Sequence, residues 1–151
     1  MKVFLAGIIQ GSLAEPRIHS QDWRGAIRCL LEQHCPQAEV YCHYERHPNS
    51  IDYEQPEIVA TLEDGNRRAA EADAVVCWLP AASMGTAVEM FVAARAGAAV
   101  VAITPLAVNW IVRAYADAIL PDLAALERFL AEGRLAELVA RKRAGRKGPM
   151  K

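Results

Sequence analysis

Five short apolar runs recur along the chain, and amphipathic or polar segments separate them. Lys2–Ala6 (KVFLA), residues 38–42 (AEVYC), 74–79 (AVVCWL) and 98–103 (AAVVAI) have the length and branched apolar content of strands, and 118–120 (AIL) is a shorter fifth. Between them the apolar period becomes helical. Ser20 is a suitable cap for 21–33, where Trp23, Ala26, Ile27, Leu30 and Leu31 share a face, and Pro36 ends that segment. Residues 58–72 read as helix despite Gly65, and an alanine-rich helix opens at Met84. Residues 108–115 are helical. Pro121 starts 122–132, which places Leu123, Leu126, Phe129 and Leu130 on one face before Gly133 stops it; 135–140 continue as helix. Residues 43–56 (HYERHPNSIDYEQP) show no period and read as a long loop.

Strands that alternate with helices predict a parallel sheet covered on both faces. The expected fold is α/β, a three-layer αβα sandwich of flavodoxin-like or Rossmann-like type with five strands in the order 2-1-3-4-5. Ligands in such sheets bind at the carboxyl ends of the strands where the order reverses. Here that point lies between strands 1 and 3, which brings residues 7–12 and 80–89 together.

Composition narrows the partners. A chain of 151 residues, 53% hydrophobic and 23% charged, is one ordered domain. A net charge of −1 argues against nucleic acid, and no apolar stretch reaches the roughly 18 residues of a membrane span. The N-terminus does not read as a secretion signal, so a cytoplasmic protein is expected, with Cys29, Cys35, Cys42 and Cys77 as reduced, buried thiols. Charge is uneven, because residues 134–151 hold seven Lys/Arg and one acid. The expected organisation is a domain over 1–133, then a basic helix end and a flexible tail over 134–151.

Candidate chemistry gathers at the predicted switch point. Gly7 and Gly11 bracket the turn Gly7-Ile8-Ile9-Gln10-Gly11-Ser12, where glycine lets backbone N–H groups approach a ligand. After strand 3, the segment 80–83 (PAAS) leads into Met84-Gly85-Thr86-Ala87-Val88-Glu89. A carboxylate near a helix N-terminus is expected to stay ionised near neutral pH. Such a group can attack an electrophilic carbon, hold a ribose hydroxyl pair, or sit on the surface as a helix-end charge. Tyr44, His47, Asn49, Ser50 and Tyr53 of the 43–56 loop are candidates to line a small-molecule pocket.

The segment 72–97 (ADAVVCWLPAASMGTAVEMFVAARAG) resembles the signature of the nucleoside 2-deoxyribosyltransferase-like superfamily, and Phe4-Leu5-Ala6-Gly7 is similar to that family's first strand, Y-x-A-G. The resemblance runs over residues 2–120. It implies that Glu89 is the nucleophile at C1′ of a nucleoside sugar, forming a glycosyl-enzyme intermediate. Ser83 stands where the related 5′-monophosphate N-glycosidases have a phosphate-contacting serine, which implies that Ser83, Gly11 and Ser12 hold the 5′ end. The family's acid/base aspartate falls at Gly65, so the adjacent Asp64 is the candidate acid/base. Its nucleophile-holding tyrosine is Phe4 here. Gly7, Gln10, Gly85 and Thr86 are expected to border the substrate, with Tyr44, Asn49, Tyr53 and Trp78 toward the base. Asn109 falls where relatives reach into a neighbouring subunit, which implies a homo-oligomer with 106–115 near the interface. No metal or redox cofactor is implied. The expected function is cleavage or transfer at the N-glycosidic bond of a nucleoside or nucleoside 5′-monophosphate. The alternative is a nucleotide-binding or sensing module of the same fold without turnover, favoured by Phe4 and Gly65.

Overall fold

The computed structural model describes residues 1–146. Five strands, β1 (Lys2–Gly7), β2 (Glu39–Cys42), β3 (Ala74–Trp78), β4 (Ala99–Ile103) and β5 (Ala118–Leu120), form one sheet in the order β2-β1-β3-β4-β5. Every pairing is parallel, and β1 runs beside β3 from Val3 opposite Ala74 to Gly7 opposite Trp78. The expected α/β sandwich and strand order are what the chain adopts.

Side-chain alternation along the strands assigns the helices to faces. Val3, Leu5, Val76 and Val101 pack toward α1 (Asp22–His34), α6 (Leu123–Ala131) and α7 (Arg134–Arg146). Phe4, Val75, Cys77 and Val100 face α3 (Gln55–Glu71), α4 (Met84–Arg95) and α5 (Trp110–Tyr115). Both sets of sheet residues are buried, which explains why the strand runs are continuously apolar.

Several boundaries differ from the sequence reading. The 43–56 loop contains a helical turn, α2 (His43–Arg46), and a short 3₁₀ turn at Ser50–Asp52. α3 starts at Gln55 rather than near 58, because Glu54 and Glu57 form a capping box and Pro56 suits the first turn. Ser20 accepts from Asp22 N (3.3 Å), but α1 begins one residue later than expected and lacks a side-chain cap bond. α6 is capped by Asp122, whose Oδ1 accepts from Ala125 N at 2.8 Å.

The basic C-terminal segment is helical through Arg146 rather than fraying after 140. Leu135, Leu138 and Val139 are buried against the sheet, and Lys142 and Arg143 form ion pairs with Asp117 (2.6 Å) and Asp73 (2.7 Å). Residues 147–151 of the expected tail lie outside the described residues. Cys35, Cys42 and Cys77 are buried free thiols, whereas Cys29 is exposed on α1. Among the described residues no helix is long and apolar enough to cross a membrane.

Candidate functional site

A cavity of about 500 Å³ opens at the carboxyl ends of β1 and β3, where the strand order reverses. Gly7, Ile9, Gln10 and Gly11 border it from the β1 side. Ser83, Met84, Gly85, Thr86, Val88 and Glu89 border it from α4, and Ile58, Thr61, Leu62, Gly65 and Asn66 from α3. His43, Ser50, Ile51 and Tyr53 complete the lining. A second cavity of about 290 Å³ adjoins it. Gly11, Ser83 and Met84 line both, and Ser12, Asn109, Ile111 and Val112 line only the smaller one.

The glycines of the first turn are required by geometry. Gly7 has φ +155°, and a Cβ there would lie 2.4 Å from the Trp23 ring and 2.8 Å from Trp78 O. Gly11 has φ +61°, a backbone state that side chains disfavour. Ser83 caps α4: its Oγ accepts from Thr86 N (3.4 Å) and Thr86 Oγ1 (3.0 Å). The helix N-terminus therefore meets both cavities with a hydroxyl and free backbone N–H groups, a setting suited to an anion.

Glu89 lies in the second turn of α4, and its environment overturns the expected charge state. Burial pushes its carboxyl up to about 8, while the Arg24 guanidinium pulls it down. The helix dipole acts mainly within the first turn, so desolvation dominates at this position. The carboxyl of Glu89 is therefore mostly protonated at neutral pH.

Arg24 is 4% exposed, under the end of β1. Its Nη2 donates to Gly7 O (3.4 Å), its Nη1 to Leu5 O (3.5 Å) and Cys42 Sγ (3.4 Å), and its Nε to Gln21 Oε1 (2.7 Å). The guanidinium stacks 4.1 Å over the Trp23 ring, and among the described residues it forms no ion pair. His43 is 9% exposed, with Nδ1 buried and unpartnered. Burial first, then His47 and Arg24, lower its imidazole to about 4. The His47 ring lies 4.8 Å away, and His47 Nδ1 is 3.1 Å from the Tyr53 hydroxyl.

Among the residues singled out in the sequence, Gly7, Gln10, Gly11, Tyr53, Ser83, Gly85, Thr86 and Glu89 meet at the larger cavity, and Ser12 and Asn109 at the smaller one. Asn109 also caps α5, its Oδ1 accepting from Ile111 N at 3.0 Å. Ser50 also lines the larger cavity, and five others, Asp64, Asn49, Trp78, Tyr44 and His47, line neither. Asp64 is held by Arg67 and by Arg68 (2.6 Å), and the Arg68 hydrogen bond leads in keeping its carboxyl below the usual range. Asn49 is exposed. Trp78 falls on the α1 side of β3, where it stacks on Trp23 with ring centres 6.2 Å apart. Tyr44 packs against the same core and under Arg24.

The sequence reading missed Arg24 and His43 as parts of the site. Arg24 belongs to the stripe 24-27-31, three and four residues apart, which is otherwise apolar. His43 follows a strand at its carboxyl end, where ligand groups concentrate.

No family model and no curated protein matches the sequence. Solved structures do share its architecture. The solution structure of BlsM aligns with a TM-score of 0.68 at 21% identity, covering 98% of this chain and 97% of that one. The 2-deoxyribosyltransferase of Bacillus psychrosaccharolyticus gives 0.62 at 14% identity, with 84% and 90% covered. The CMP N-glycosidase BcmB of Clostridium botulinum gives 0.51 at 16%, with 86% and 98% covered. At these identities the likeness is one of fold: the chain shares the α/β architecture of these three structures.

Proposed function

We propose that the chain cleaves or transfers the N-glycosidic bond of a nucleoside or nucleoside 5′-monophosphate, with Glu89 as nucleophile at C1′. The observation that carries this reading is Glu89, a half-buried carboxyl on α4 that borders a 500 Å³ cavity at the switch point of the sheet. Two of the solved structures that share the fold are named for a 2-deoxyribosyltransferase and a CMP N-glycosidase. The glycosyl-enzyme ester formed by Glu89 is resolved by water or by a second base. Ser83, Gly11 and the first N–H groups of α4 receive the 5′ end, with Ser12 beside them. No Lys or Arg lines either cavity, so a phosphate at the start of α4 is met by hydroxyl and backbone donors.

Self-association belongs to the same reading. Met84 (82% exposed) and Val88 on α4 border the cavities, and Phe91 on the same helix, with Val108 and Trp110 (86% exposed) at the start of α5, are further exposed apolar side chains. A second copy of the chain covers such a patch and closes the cavities from outside. Binding without turnover is the second reading, favoured by a Glu89 that is neutral at pH 7.

The test incubates the protein with a panel of nucleosides and 5′-monophosphates and follows free base by chromatography. Base release is expected, with a loss on the order of 10³-fold or more in Glu89→Gln. Ligand binding with no release in the unmodified protein supports the second reading. Release that Glu89→Gln leaves unchanged removes Glu89 from the chemistry.

A further inference from the structure

The larger cavity is lined by three ionisable side chains, Glu89, His43 and Tyr53, and the proposed chemistry uses only the first. Breaking a C1′–N bond leaves the electron pair on the base, which must gain a proton or depart as an anion. His43 stands where that proton is needed. It opens α2 directly after β2, it lines the cavity, and its buried Nδ1 has no hydrogen-bond partner. An orphaned buried imidazole nitrogen calls for a specific partner.

Gly65 supplies the space between imidazole and carboxyl. A Cβ at Gly65 would lie 3.3 Å from His43 Nδ1 and Cε1, and 3.8 Å from Glu89 Oε1. Nδ1 and Oε1 therefore border one small volume over a residue with no side chain. This also accounts for a glycine in the middle of a 17-residue helix, where alanine is favoured by about 1 kcal/mol.

Resting on the N-glycosidic reading above, we propose that His43 is the catalytic residue that protonates the departing base, and that the proton comes from Glu89. In this step the Glu89 carboxyl gives its proton to His43 Nδ1 through the space over Gly65. The freed carboxylate oxygen forms a bond to C1′. The C1′–N bond breaks, its electron pair stays with the base, and His43 Nδ1 passes the proton to the base ring. Glu89 ends as an ester, His43 as a neutral imidazole and the base as its neutral form, so no proton is drawn from bulk water.

The resting charge states fit this exchange. Between about 4, where His43 titrates, and about 8, where Glu89 titrates, the pair carries one proton, and it resides on Glu89. The charged or titratable groups acting on His43 are His47 after α2, Arg24 on α1, and Asp64 and Arg68 on α3; of these four only Asp64 favours its cation.

The experiment compares leaving groups. One substrate is the 5′-monophosphate that the unmodified protein cleaves best. The other is 7-methylguanosine 5′-monophosphate, whose cationic base departs neutral without a proton. His43→Ala is expected to lower kcat by about 10²–10⁴-fold on the first and by less than about tenfold on the second. Equal losses on both substrates overturn the proposal and make His43 structural. The unmodified protein supplies a second readout that does not depend on the variant folding. Between about pH 5 and 7, where the methylated base keeps its positive charge, kcat/KM for the ordinary substrate stays level because the pair holds its one proton throughout; for the methylated one it rises with the ionised fraction of Glu89, by up to about tenfold per pH unit. The same profile for both substrates overturns the proposal while leaving a Glu89-dependent cleavage intact. Cleavage of neither substrate defeats the N-glycosidic reading itself, and the role of His43 with it.

Discussion

On the α1–α6–α7 side of the sheet, Val3, Leu5, Val76 and Val101 meet Ile27, Leu31, Leu126, Leu130 and Leu135, all buried. On the α3–α4–α5 side, Phe4, Val75 and Val100 meet Ala69, Met90, Ala93, Ala98 and Val112, while Val59, Leu62, Met84, Val88 and Phe91 of the same helices stay exposed. The first side fills its volume with large branched residues and leaves little space. The second uses small residues at the sheet, so α3 and α4 come close there, and the apolar groups of their outer turns find no partner in the chain. The cavity opens on that side, between α3, α4 and the end of β1. Stability is concentrated on one face and the candidate chemistry on the other, with Arg24 reaching from the closed face to the floor of the open one.

Paired truncations break or confirm this division with the largest effect. Leu126→Ala leaves a void in the closed face and should cost about 2–5 kcal/mol in urea unfolding, with nucleotide binding retained below the transition. Phe91→Ala, on the open face beside Tyr115, should cost the monomer about 0.5 kcal/mol or less. It should instead weaken self-association in sedimentation, because it trims the exposed patch. Equal unfolding costs for the two variants would mean that the open face is as much a core as the closed one.

A smaller effect separates the two titrating groups of the open face. The folded-state carboxyl of Glu89 is raised, so the folded state keeps a proton that the unfolded state loses above its ordinary value of 4.5. Stability from this group is therefore full at low pH and is lost as pH rises toward about 8. His43 is depressed, so its contribution has the opposite sense and is lost as pH falls from 6.5 toward about 4. The two oppose one another between 4.5 and 6.5, and above 6.5 only Glu89 acts. Unfolding free energy should drop by about 1–2 kcal/mol between pH 6.5 and 8, and Glu89→Gln should flatten that limb. A limb of equal size in the variant assigns the slope to another group.

How far the sequence reaches differs between backbone and side chains. Apolar runs and their spacing yield the five strands, the parallel order and the switch point, because each depends on patterns that survive folding unchanged. Gly7, Gly11, Ser83 and Glu89 reach the cavity because the topology carries their loops there. Trp78 was assignable by parity: Cys77 faces α4, so the next residue faces α1. The ionisation of Glu89 was not legible, since the dipole argument is local and the desolvation that outweighs it comes from residues far away in sequence. Nor was the partnership of His43 with Gly65, which joins α2 to the middle of α3 across 22 residues.

The smallest expected effect concerns Asp64, one residue from Gly65 and about 100° around the helix from it. That rotation takes its carboxyl off the cavity wall and onto Arg67 and Arg68. Arg68 in turn lies 4.3 Å over the Tyr41 ring, which stacks on Phe4. Asp64 thus anchors a guanidinium on the outer side of α3 and holds no proton at neutral pH to donate. Asp64→Asn should change kcat by less than roughly tenfold, against the roughly 10²–10⁴-fold cost of removing a proton donor. Its stability cost should stay near or below about 1 kcal/mol, because both ion pairs are partly exposed and screened. A kcat loss in Asp64→Asn as large as that of His43→Ala would place the proton donor on α3 and return His43 to a packing role.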